Sequence, residues 1–163
     1  MQFIRPYVFE SEGVEHMNKD EMKIKGALNV VIRHANGDVE TRRKDNLILN
    51  AGFDFICAAI ANPTRPDLMG YTAVGTGTTA VAATQTGLTT EIKRKSASYA
   101  HTAGTKVFTL TTTFAAGEAT GAITEAGICN AASGGTFLDR VVFDVINKAA
   151  DDTMTTTFQF TLS

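Results

Sequence analysis

The chain has 163 residues, 15 Lys and Arg against 17 Asp and Glu, and a formal net charge of -2. A chain of this length can bury roughly 70% of its extended surface and hold a single core unaided. Its near-neutral balance speaks against non-specific nucleic-acid binding, which needs clustered Lys and Arg to displace counterions from phosphates.

Neither a signal peptide nor a membrane-spanning helix is expected. No run approaches the 18 or more apolar residues of a membrane span, and Glu10, Glu12 and Glu15 interrupt the early apolar residues where a signal peptide would need continuity. Cys57 and Cys129 sit among apolar neighbours and are read as two buried free thiols, in keeping with synthesis in a reducing cytoplasm.

Residues 1–22 are read as an extended N-terminal arm. Phe3, Ile4, Tyr7, Val8 and Phe9 form an apolar head, and the acidic, aperiodic stretch behind it makes a polar tether. Exposed aromatics need a surface to cover them, so the head is expected to dock on a neighbouring subunit. Residues 23–163 are read as one β-rich domain. It opens with a hairpin over 24–44, in which Leu28, Val30 and Ile32 alternate before Asn36-Gly37, a pair suited to a type I′ turn.

After Leu47-Ile48-Leu49, Asn50 is placed to cap a short helix over about 51–61. Phe53, Ile56, Cys57 and Ile60 would share a face, Asp54 would lie near the positive end of the dipole, and Asn62-Pro63 would end the helix. Its apolar stripe is expected to lie across a sheet or to close one end of a barrel-like core.

Beyond Pro63 lie 23 of the 24 threonines, and apolar residues there alternate with period two, the pattern of half-buried strands. Strands are expected over 71–75, 88–99, 106–115, 121–129, 136–145 and 153–162, with glycine's freedom needed at Gly104 in the turn before the third. In the last, Met154, Thr156, Phe158, Phe160 and Leu162 share one face. The whole reads as mainly β: an antiparallel β-sandwich, jelly-roll-like, with one short α-helix and the N-terminal arm.

The loop after the first of these strands carries Gly75, Thr76, Gly77, Thr78 and Thr79 and is nearly free of charge up to Glu91. It offers no general base and no metal ligand, and it lacks the Lys that follows the last glycine of a phosphate-binding loop. His16, His34 and His101 have no second ligand at a regular spacing and are read as solvated. Ser96, Ser98 and Ser133 lack a nucleophile elbow. Asp144, Asp151 and Asp152 beside Lys148 lack the spacing of a calcium loop and read as a solvated connection. No catalytic, cofactor or metal site is therefore expected.

Charges within neutral strands invite a structural reading. A buried carboxylate is costly unless a guanidinium satisfies it, so Glu125 or Glu91 is expected to pair with Arg94 or Arg140 and hold loops in register. The basic runs Arg42-Arg43-Lys44 and Lys93-Arg94-Lys95 could face an acidic partner, and charge on a strand edge also resists accidental pairing.

Taken in order, Asn50-Ala51-Gly52, Val74-Gly75-Thr76-Gly77-Thr78-Thr79, Leu88-Thr89-Thr90-Glu91 with Arg94, Glu125-Ala126-Gly127-Ile128, Leu138-Asp139-Arg140 and Asp152-Thr153-Met154-Thr155 resemble a group of small tailed-bacteriophage virion proteins. The resemblance covers roughly residues 46–163 and leaves out the arm and hairpin. Members are described as tail fibre, neck or head decoration proteins. The resemblance implies a non-enzymatic virion component made in the host cytoplasm, first of all a head decoration (cement) protein on the outer capsid. A neck, collar, tail-fibre or baseplate part is the alternative within that class. Its partners would be the major capsid protein or neck and tail proteins, with a homo-oligomer, a trimer favoured, gaining avidity by repetition. A carbohydrate- or receptor-binding module is the alternative from another class, with Tyr7, Tyr71 and Tyr99 as its tyrosines and no Trp to form a platform.

Overall fold

The computed structural model describes residues 22–163. The arm residues Phe3, Ile4, Tyr7, Val8 and Phe9, and His16, lie outside the described residues. The rest is mainly antiparallel β with a single helix. In chain order the elements are β1 (Ile24–Arg33), β2 (Val39–Ile48), α1 (Asn50–Ala61), β3 (Tyr71–Gly75), β4 (Glu91–Ser96), β5 (Ser98–His101), β6 (Val107–Phe114), β7 (Gly121–Cys129), β8 (Asp139–Lys148) and β9 (Thr153–Leu162).

All nine strands belong to one sheet in the order β4-β3-β7-β8-β2-β1-β9-β6-β5. Its edge strands, β4 and β5, are consecutive in the chain and separated only by Ala97. The segment expected as one strand over 88–99 is therefore a kinked strand that changes partner, pairing first with β3 and then with β6. Ala97 N donates to the Gly70 carbonyl at the kink (2.8 Å). Across the closing gap, Thr112 Oγ1 lies 2.9 Å from Thr72 Oγ1 and 3.3 Å from the Ser96 carbonyl. A strand that switches partners is how a strongly twisted sheet turns a corner, and here it brings the sheet close to a barrel.

Alternation fills the interior. Leu28, Val30 and Ile32 from β1, Leu110 and Phe114 from β6, and Met154, Phe158 and Phe160 from β9 are all buried in one core cluster. Each large apolar side chain so buried contributes about 1.5–3 kcal/mol. Thr156, on the same inward face, is also buried and donates to the Thr112 carbonyl (3.4 Å), so a small hydroxyl enters the core with its hydrogen bond made. The outward threonines of β6 and β9 meet across the strands, Thr111 with Thr157 and Thr113 with Thr155.

Local details depart from the sequence reading in three places. The β1–β2 turn is a three-residue loop in which only Gly37 adopts positive φ (+93°), whereas a type I′ turn would need Asn36 there too. Asn50 lies inside the helix, whose N-cap is Leu49 with no side-chain bond, and no acidic residue stands in its first turn. The first turn is held instead by backbone: Asn50 N donates to Ala83 O (2.9 Å), and Leu49 N donates to Leu138 O (3.0 Å). Contact there is so close that a Cβ on Gly52 would lie 2.1 Å from the Leu138 carbonyl oxygen. That backbone docking rotates the helix. Gly52, Phe55, Ile56 and Ala59 turn inward, while Phe53, Cys57 and Ile60 are exposed, so the expected stripe is displaced and Cys57 is not a buried thiol. Cys129 is buried, and loss of solvent pushes its thiol up to about 11.

Candidate functional site

Among the described residues the Gly/Thr loop is densely tied down by polar groups. Glu125 and Arg140 come from the neighbouring strands β7 and β8, both fully buried, and face each other beneath residues 76–90. Arg140 Nε and Nη2 donate to Glu125 Oε2 at 2.9 and 2.7 Å. Oε2 also accepts from Thr89 N (3.0 Å) and Thr89 Oγ1 (3.1 Å). Oε1 accepts from Gly77 N (3.1 Å) and Thr90 N (2.7 Å). Burial pushes the Glu125 carboxyl upward, but the Thr90 amide and the Arg140 guanidinium outweigh it and hold the group below its ordinary range.

Arg140 is equally committed, with Nη1 donating to Thr79 O (3.0 Å) and Gln85 Oε1 (2.8 Å) and Nη2 to Thr89 Oγ1 (3.0 Å). Thr124 Oγ1 closes the arrangement on Gly77 O (2.9 Å). Gly75 and Gly77 are glycines because a Cβ on either would strike the Thr90 carbonyl, the Thr89 hydroxyl or Glu125 within 2.4 Å. A carboxylate surrounded by six donors has no free lone pair with which to take a proton from a substrate. The pair is an anchor for the loop.

Glu91 and Arg94 form a second staple at the sheet edge. Arg94 Nε and Nη2 reach Glu91 Oε1 and Oε2 at 2.9 and 2.8 Å, and Nη1 donates to Ala131 O and Gly134 O at 2.8 and 2.7 Å. The guanidinium also lies over the Phe137 ring, 5.0 Å from its centroid. The four charged residues thus form two separate pairs, Glu125 with Arg140 and Glu91 with Arg94. Other members of the basic runs are also engaged: Arg42 contacts Glu40, and Lys95 Nζ meets Glu118 Oε2 at 2.6 Å.

His34 and Asp152 are not the solvated groups that the sequence implies. Asp152 is buried between the β1–β2 and β8–β9 turns, accepting from Ala35 N (3.1 Å) and Ala149 N (2.8 Å), and His34 Nδ1 lies 2.9 Å from its Oδ2. The Asp152 hydrogen bond raises the His34 pKa above its ordinary 6.5, so the folded state holds the proton longer than the unfolded chain. This contribution to stability is complete below pH 6.5 and disappears as pH rises through the raised value. His34→Ala should therefore flatten the decline of Tm as pH rises above about 6.5. An NMR titration placing the imidazole of His34 at or below its ordinary value would contradict this.

One buried carboxylate escapes the sequence reading altogether. Asp139 faces the interior beside Asn46 Nδ2 and Ile128 N (2.9 Å to the latter), with no cation against it, and desolvation raises its pKa to about 7. Asn46 Oδ1 is buried and lacks a partner. Lys148 is buried too, its ammonium donating to Ala115 O (3.1 Å), and burial lowers its pKa. Among the described residues no three His, Cys, Asp or Glu side chains are grouped so as to hold a metal ion.

Away from these pairs an apolar surface lies open. A groove of about 690 Å³ runs between α1, the 65–69 segment and the β5–β6 end of the sheet. Its floor includes Ile56, Leu110 and Leu138. On its rim Met22, Ile60, Leu68 and Tyr99 are 69%, 65%, 76% and 66% exposed. Sequence reasoning missed it because the groove joins segments far apart in the chain; its visible signals were Ile60 on an apolar helix and Leu68-Met69 following two prolines. Comparison with known proteins finds no matching family model, no matching curated protein and no matching solved structure.

Proposed function

We propose that the chain is a non-enzymatic structural protein of a tailed-phage virion, a head decoration protein that sits on the outer capsid and reinforces contacts between capsomers. The observation that carries this reading is how the polar and apolar groups are divided. The buried charges beneath the Gly/Thr loop are saturated by donors and hold backbone in place, while an apolar groove of about 690 Å³ stands open to solvent. A molecule so arranged offers contact area, and exposed apolar patches of this kind mark interaction surfaces. The ordered series of motifs, which resembles that of small tailed-phage virion proteins, is what favours this class. Repetition supplies the strength, since several modest contacts made by one oligomer raise effective concentration at each further site.

Quantifying the chain in purified particles tests the proposal. Cement is expected in hundreds of copies per particle, whereas a neck, collar or tail part would be present in roughly ten or so, following its ring symmetry. Absence from assembled particles would refute both. Deleting residues 1–21 should leave a domain that melts within a few degrees of the full chain and whose occupancy on particles falls by about a hundredfold, the usual scale of lost avidity. A truncated chain that unfolds instead would show the arm to be part of the core.

A further inference from the structure

The groove and the arm are complementary, and the way the chain enters the described structure shows how they can meet. Met22, the first described residue, lies on the groove rim. Behind it are twelve residues, 10–21, among which Glu10, Glu12, Glu15, Asp20 and Glu21 are acidic, and beyond those the head of Phe3, Ile4, Tyr7, Val8 and Phe9. We propose that the groove of one copy receives the aromatic head of a second copy, and that this exchange is what assembles the homo-oligomer.

Three observations favour that occupant. The first is chemical. Tyr99 and Phe108 stand 6.2 Å apart at their ring centroids, and Phe108 stacks on the buried Phe160 at 5.0 Å, so an aromatic column runs from the rim into the core and leaves its outer end open. A Phe or Tyr ring from the head extends that column by offset or edge contact. The second is electrostatic. Among the described residues Arg65 is the one charged member of the lining, and the tether that must cross the rim behind a seated head is acidic.

The third is length. Twelve residues reach at most about 40 Å, far more than the few residues needed to fold back over Met22. That reach matches the diameter of a domain of this size, whose radius of gyration is about 14 Å. Three aromatic side chains bury roughly 500 Å². Each contact is thus smaller than the roughly 800 Å² per partner of a standard interface, and a copy that gives one head and receives another makes two of them, which raises effective concentration at the second. Because the giving and receiving surfaces differ, the contact is heterologous, and a reach long enough to adapt its angle lets a small number of copies close into a ring.

The inference concerns the purified chain alone, so it stands or falls independently of any virion. Mass measured by light scattering or sedimentation on the full-length protein should give a closed oligomer. Phe3→Ala, Tyr7→Ala and Phe9→Ala together should make it monomeric, weakening association by about a hundredfold or more. Ile60→Asp with Leu68→Asp should do the same. Both groove positions are largely exposed, so the circular dichroism and Tm of that variant are expected to match those of the parent. Mixing the two variants is decisive: the intact groove of the first accepts the intact head of the second, and a 1:1 heterodimer forms. A full-length monomer, showing the head seated on its own groove or nowhere, would overturn the inference. So would an oligomer that survives either set of substitutions, or two monomeric variants that do not combine.

Discussion

Replacing Arg140 with alanine should cost about 3–5 kcal/mol, the usual penalty for leaving a buried partner charge without its counterion. In a domain of this length that corresponds to a Tm lower by roughly 10–15 °C, measured by calorimetry or by thermal circular dichroism. The reason lies in what Glu125 does besides facing Arg140. Its oxygens also accept from the amides of Gly77, Thr89 and Thr90, so the carboxylate stays charged to hold the loop, and without the guanidinium it stays charged in a site closed to water. Glu125→Gln combined with Arg140→Met should recover part of the loss, because the paired charges vanish together while one amide oxygen remains for the loop. The lowered Glu125 pKa adds an acid limb: its contribution is present above the unfolded value near 4.5 and fades as pH falls through the lower folded value. A single Arg140→Ala variant within 1 °C or so of the parent would mean that the pair holds nothing in place.

At neutral pH, Asp139→Asn should raise stability. The folded carboxyl titrates near 7 against an ordinary 3.8, so from about pH 4 to 7 the unfolded chain releases a proton that the native state keeps. Stability therefore falls across that window as pH rises, by an amount on the order of 2–4 kcal/mol, and is flat above it. Asparagine at this position carries no charge to desolvate. Its oxygen can accept from Ile128 N, and with the Asn46 amide turned over its nitrogen can donate to the Asn46 oxygen, which is otherwise buried without a partner. The variant should melt roughly 5–10 °C above the parent at pH 8 and close to it at pH 4. A variant less stable than the parent at pH 8 would show that the charged carboxylate is needed there.

Period-two alternation in 153–162 was enough to place β9, because there one face meets the core and the other is partly open to water. It was not enough in 136–145, where the strand begins three residues later and Asp139 and Arg140, adjacent and therefore on opposite faces, are both buried. Pattern reading assigns one of two such neighbours to solvent. The structure buries both because the 76–90 loop covers the outer face with backbone and binds Arg140 there. Nor was the kink at Ala97 legible, since a strand that changes partners keeps an unbroken extended sequence.

The charged pairs show a similar division. That carboxylates in neutral β segments require guanidinium partners follows from desolvation alone. Which carboxylate met which guanidinium depended on β7 lying beside β8 and on β4 bending toward the 130–135 loop. For α1, composition announced a helix, but its rotation was settled by Leu138, whose carbonyl sits so close that only Gly52 fits against it.

By itself the sequence determined the class of this molecule: antiparallel β with one helix, written in local alternation and turn residues that act over a few positions of chain. Tertiary structure alone decided the closing of the sheet, the burial of Asp139 and Asp152 and the exposure of the groove. Each of these joins residues from distant segments, and contact between distant segments depends on how strands pair, which short-range pattern does not encode.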